Sequence, residues 1–279
     1  MTVPAGGSPV GGWSQPEQDD GPLVFVASLE EPRIDDPDLH HLSTVLRVRD
    51  GSPIVLADGA GAWRRATFAE RPGDLGPLLL EPVPRVEIGV MCAVIKGDRP
   101  EMVTRQLTEL GVDHIGWFHA VHGVVRWGSE RSSRQRGRLE RIAREAAMQC
   151  RRARLPGIVM PAEVPAWWNG TTVRWRAVKG APPLLTRWDD VDRGRGWGAV
   201  RVGVAVGPEG GWAPAEVGAE SGGGFLRVGL GGRMLRSETA AVGAGSLLAA
   251  LRDAAARADP PGSVAGGRPH ESRDGDAAC

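Results

Sequence analysis

The sequence predicts an α/β protein: a mostly parallel sheet with helices on both faces, preceded by a small β-rich unit. Three observations carry this. From residue 86 onward, apolar runs of strand length alternate with helical patterns. A β-branched run, 200–206, and an apolar run, 225–230, stop abruptly in glycine. Between residues 23 and 84, short apolar runs are divided by turn signals.

Taken in order, residues 1–22 are rich in Gly, Pro and acids without periodicity and read as a disordered tail, as do 254–279. Residues 23–26, 53–57, 62–69 and 78–83 read as strands, with Asp58-Gly59 as a hairpin turn. Residues 36–45 read as a short helix with Asp36 as its cap and Pro37 in its first turn. Pro82-x-Pro84 marks a boundary, so 23–84 and 85–253 are expected as two domains. In the second, strands are expected at 86–95, 115–120, 174–178, 184–186, 200–206 and 225–230. Helices are expected at 101–110, 132–152 and 238–251, the last capped by Ser237.

The composition is ordinary for a globular chain of 279 residues, with 41% hydrophobic and 24% charged residues. No run approaches the roughly 18 to 20 apolar residues that span a bilayer. The first 22 residues lack the apolar core of a secretory signal, so a cytoplasmic protein is expected. Cys92, Cys150 and Cys279 have neither metal-ligand nor disulfide spacing. Net charge is zero, but residues 126–154 hold ten arginines against three glutamates. Arg134, Arg138 and Arg141 follow a one-face helical spacing that Arg144 and Arg151 extend. A solvated face and a phosphate-binding stripe both fit that pattern.

Gly207-Pro208-Glu209-Gly210-Gly211 follows one predicted strand and Leu230-Gly231-Gly232 the other. Glycines there let bare main chain approach a ligand, and open α/β sheets bind ligands beyond the carboxyl ends of their strands. Neither loop fits the phosphate-loop or dinucleotide spacing. A structural turn remains the alternative.

Gly-Pro-Glu-Gly-Gly together with Leu230-Gly-Gly-Arg-Met-Leu-Arg-Ser-Glu-Thr-Ala240 resembles the 16S rRNA uridine N3-methyltransferase family of the SPOUT superfamily. His40-His-Leu-Ser-Thr-Val-Leu-Arg47 resembles its amino-terminal signature. Lys96-Gly-Asp-Arg-Pro-Glu-Met102 and Glu109-Leu-Gly-Val-Asp-His-Ile115 resemble its first catalytic strand, loop and helix. The resemblance implies a SPOUT-type trefoil-knotted sheet behind a PUA-like β-barrel, a homodimer, and S-adenosyl-L-methionine as cofactor. It places the cofactor against Gly207, Pro208, Glu209, Gly210, Gly211, Leu230, Gly231, Met234 and Leu235, with no metal. The partner it implies is 16S rRNA in the small ribosomal subunit.

Uracil N3 carries an imide proton, so the acceptor needs a base or a cation that stabilises its oxygens. Arg236 is the candidate cation, and Glu238 the group that orients it or accepts the proton; a structural Arg-Glu pair is the alternative. Arg47, Arg134, Arg138, Arg141, Arg151 and Arg152 are the candidate RNA contacts. The segment Val121-His122-Gly123 departs from the family's pattern. His122 there is either an additional base or a polar loop residue, and Trp212 either packs or stacks on a base. Another RNA, a free nucleoside or natural product, and a non-catalytic RNA-binding role stay open as alternatives.

Overall fold

The computed structural model describes residues 14–189, 191, 200–217 and 224–258. Residues 1–13 and 259–279, which hold most of both expected tails and Cys279, lie outside the described residues. Leu23–Phe25 (β1), Pro53–Ala57 (β2), Ala62–Thr67 (β3) and Leu79–Leu80 (β4) form a four-stranded sheet in that order. The Asp58-Gly59 hairpin joins β2 and β3 in antiparallel register, with Gly59 at φ +78°. Asp36–His40 (α1) continues into a π-helical turn at His41–Val45; Asp35, rather than Asp36, caps it by accepting from Asp38 N–H.

The second sheet has six strands, parallel at every described pairing, in the order β10-β8-β9-β5-β6-β7. They are Val86–Ala93 (β5), His114–Phe118 (β6), Gly157–Val159 (β7), Val173–Ala177 (β8), Val200–Val206 (β9) and Phe225–Val228 (β10). The helices are Arg99–Glu109 (α2), Ser129–Cys150 (α3), Val164–Asn169 (α4), Pro214–Val217 (α5) and Ser237–Ala258 (α6). Side chains of β5 alternate between faces as a pleated strand requires. Val90 and Cys92 join the core with Val103, Leu107, Ala244 and Leu248, while Met91 joins Trp167, Trp168 and Ala205 on the other face.

Glycine makes room for that second layer. A Cβ on Gly89 would lie 2.3 Å from the Trp167 ring, and one on Gly203 2.6 Å from both Trp167 and Trp168. Gly89→Ala is expected to destabilise the fold by about 1–3 kcal/mol, the usual cost of overpacking. Urea unfolding checks this; an unchanged midpoint would mean that the tryptophans move aside freely.

Several expectations are corrected. Residues 184–186 form a 3-10 turn, Leu184–Arg187, instead of a strand. Pro182 and Pro183 cannot donate to a ladder, and Pro183 O accepts from Thr186 N–H and hydroxyl instead. β7 and α4 arise where no element was expected, since a three-residue strand and a six-residue helix leave little periodicity to read. Structure also begins earlier than residue 23, within the expected amino-terminal tail. Ser14 N–H donates to Leu80 O, and Trp63 Nε1–H donates to Ser14 O. At the other end, α6 runs on to Ala258.

The two sheets meet through α3. Ala147 and Ala153 pack with Leu23, Phe25, Val55 and Trp63. Arg144 donates to Asp38 and, at 3.1 Å, to Phe25 O. Among the described residues no helix is long and apolar enough to cross a membrane, and no cluster of His, Cys, Asp and Glu has the makings of a metal site.

Candidate functional site

The glycine loops after β9 and β10 stand side by side at the carboxyl end of the large sheet. They line one cleft of about 940 Å³ with Val178 and Lys179, which follow β8, and Arg99 at the start of α2. Gly207, Pro208, Glu209, Gly210 and Gly211 form one wall, and Leu230, Gly231, Met234, Leu235 and Arg236 another. All nine residues expected at a cofactor are therefore brought together. Gly211 at φ +74° and Gly231 at φ +141° adopt backbone that side chains resist. A cleft of this size, with bare main chain and apolar Leu230, Met234 and Leu235 in its walls, suits a nucleoside-sized ligand.

The loops are fastened from behind. Ser237 Oγ donates to Gly207 O at 2.8 Å, so its hydroxyl hydrogen ties the two walls together instead of serving only the helix end. Trp212 stacks on Phe118 with ring centroids 5.7 Å apart, and its Nε1–H donates to Ala177 O at 2.9 Å. Arg176 covers the same indole at 5.1 Å. Trp212 is thus held as a packing residue that also forms part of the cleft wall.

His122 reaches the site from elsewhere in the chain. Its Nδ1 lies 3.2 Å from Gly210 O. A carbonyl oxygen only accepts, so this contact puts the hydrogen on Nδ1. A Cβ on Gly210 would sit 3.1 Å from His122 Cβ, and His122 does not line the cleft. Its part is to brace the glycine loop, assisted by Glu216, which accepts from Val121 N–H and Ala213 N–H.

Arg236 is exposed on the cleft wall, and its backbone oxygen accepts from Ala240 N–H in the first turn of α6. Glu238 is only 9% exposed and faces Arg99, with Glu238 Oε2 at 3.5 Å from Arg99 Nη1. The expected orienting contact between Glu238 and Arg236 is thus corrected: the partner is an arginine from another segment. Glu238 lies close enough to buried Cys92 to add to the burial that pushes its thiol up to about 12, which leaves that sulfur unreactive. Arg99 is the site residue that sequence reasoning missed. It lies within Lys96-Gly-Asp-Arg-Pro-Glu-Met102, where the resemblance was noted but no role was drawn from it.

The arginine stripe has been largely put to internal use. Arg152 is buried at 8% exposure, donating to Val112 O at 2.7 Å and pairing with Asp113 at 3.0 Å, so it is withdrawn as an RNA contact. Arg151 adopts φ +61° and donates to Glu17 O and Gly21 O, which removes it as well. Arg134, Arg138 and Arg141 stay exposed, paired with Glu130, Glu101 and Glu145. Arg47, at φ +55°, is exposed in the small unit.

Known proteins resemble this chain in sequence and in fold. The RNA methyltransferase domain family matches residues 81–249. The ribosomal RNA small subunit methyltransferase E of Mycobacterium bovis is 32% identical over 249 residues, covering 84% of this chain and 94% of that protein. Its Bacillus subtilis namesake is 25% identical, over 73% of this chain and 83% of its own length. The solved structure of ribosomal RNA small subunit methyltransferase E from Neisseria gonorrhoeae, bound to S-adenosyl methionine, superposes with a TM-score of 0.64 at 25% identity. That match spans 83% of this chain and 98% of the other. With the family model matching residues 81–249 and 32% identity to the Mycobacterium bovis enzyme over most of both chains, the chain belongs to the RNA methyltransferase family.

Proposed function

We propose that this chain transfers a methyl group from S-adenosyl-L-methionine to N3 of a uridine in 16S rRNA of the small ribosomal subunit, the uracil numbered 1498 in the usual rRNA scheme. The observation that carries the reading is the meeting of both glycine loops in one cleft with Arg236 exposed on its wall. The cofactor, when bound, supplies an electrophilic methyl group on a sulfonium. The chain binds, aligns and stabilises charge. Main-chain groups of residues 207–211 and 230–235 hold the adenosine. Arg236 faces the uracil and stabilises the negative charge that develops on O2 and O4 as the imide proton passes to solvent water, so that N3 takes the methyl group and S-adenosylhomocysteine leaves.

In this reading the β10-β8-β9-β5-β6-β7 order is the open view of a trefoil-knotted SPOUT sheet, and the four-stranded sheet belongs to a PUA-like barrel. Residues 23–84 and 85–253 then act as an RNA-docking and a catalytic domain, in a homodimer. Arg47, Arg134, Arg138 and Arg141 guide the RNA backbone; the pairs of Arg134 with Glu130 and of Arg141 with Glu145 are exposed and weak enough to yield to phosphate. The test is to incubate undermethylated small subunits with the purified protein and methyl-labelled cofactor, then digest the RNA to nucleosides. The expected product is 3-methyluridine; label in a ribose or at another base position would reassign the acceptor.

A further inference from the structure

Three separated segments converge on one nitrogen of Arg99. Its Nη1 lies 2.6 Å from Glu209 Oε1, in the loop after β9, and 3.5 Å from Glu238 Oε2, in the first turn of α6. Arg99 itself opens α2, placed there by the turn at Gly97, φ +74°, and by Pro100, whose fixed φ suits a first helical turn. The two carboxylates differ in surroundings: the Glu209 side chain is 57% exposed and that of Glu238 11%. Glu101, the next acid along α2, is occupied by Arg138, so it does not compete for Arg99.

We propose that Arg99 is a positioning residue that fixes the width of the cofactor cleft by holding Glu209 and Glu238 together across its two walls. Without the guanidinium, the Glu209 charge on the cleft wall and the Glu238 charge behind it lose the group between them, while Ser237 Oγ–Gly207 O still joins the loops. One planar group with several donors serves two carboxylates at once, which a point-like ammonium does less well. The residue therefore acts on the affinity for the cofactor through the walls that grip it, and contact with the acceptor base is no part of the role.

This inference rests on S-adenosylmethionine being the ligand of the cleft, and the experiment separates the two claims. Calorimetric titration of the cofactor is compared for the unmodified chain, Arg99→Met, Arg99→Lys, Glu209→Gln and the Arg99→Met/Glu209→Gln double variant, with thermal unfolding recorded for each. Arg99→Met is expected to weaken binding by about tenfold, the scale of a lost charge-assisted hydrogen bond. Arg99→Lys should recover part of that loss. The double variant should bind no more weakly than Arg99→Met, because Arg99→Met already removes the contact that Glu209→Gln removes. At saturating cofactor, kcat should stay within about threefold while KM for the cofactor follows Kd. Failure of the unmodified chain to bind S-adenosylmethionine would defeat the cofactor reading. Normal binding by the unmodified chain together with unchanged affinity in a folded Arg99→Met, or full additivity with Glu209→Gln, would overturn the role of Arg99.

Discussion

Arg236→Ala is expected to slow methyl transfer by about a hundredfold to a thousandfold, the cost of removing one preorganised charge from a developing anion. Cofactor affinity should change by less than about threefold, because the proposed grip on adenosine is by main-chain groups and by Leu230, Met234 and Leu235, which line the cleft. The structure sharpens this expectation. The carboxylate of Glu238 is directed to Arg99, so the Arg236 guanidinium projects from the start of α6 without an ion pair among the described residues. Its loss leaves no buried charge behind, and folding should be unaffected. Single-turnover transfer alongside calorimetric binding checks the split. Equal loss of both would make Arg236 a cofactor-binding group; loss of neither would remove it from the chemistry.

Asp113→Ala is expected to have the largest effect on stability, about 3–5 kcal/mol, because it strips a buried arginine of its counter-charge. Asp113 stands just before β6. It pairs with Arg152 at 3.0 Å and Arg252 at 3.2 Å and accepts from Ile88 N–H at 3.0 Å. The segment after α3 and the last turns of α6 are thereby pinned to the amino-terminal end of the sheet, opposite the cleft. Burial already holds the Arg152 guanidinium below its ordinary pKa, a sign of how costly its charge is there. Asp113→Asn retains an acceptor for Ile88 N–H and should lose less. Urea unfolding gives the comparison; a loss below about 1 kcal/mol in Asp113→Ala would mean that water reaches Arg152 readily.

What the sequence conveyed well were features with strong local causes. β2 and β9 coincide with β-branched runs bounded by Pro, Gly or Asp, and the glycine loops follow their strands as expected. Long-range pairing left weaker traces. The ten arginines of 126–154 looked like one charged stripe, but helical spacing says nothing of which acids the fold brings opposite. Asp38 and Asp113 meet Arg144 and Arg152 only once both sheets are assembled. Arg99 and Glu238 are 139 positions apart, and no periodicity links them. Trp167 and Trp168 were legible as apolar residues. That Gly89 and Gly203 are small in order to seat them became clear only from the facing strands.

The central claim is methyl transfer to uridine N3 in the small subunit. The measurement that tests it most directly compares labelled transfer from S-adenosylmethionine to intact small subunits, naked 16S rRNA and free uridine, with Arg236→Ala as the control and digestion of each product to nucleosides. The expected result is 3-methyluridine formed chiefly from assembled subunits and almost none with the variant. Measurable cofactor binding with no label in any RNA would contradict the assignment.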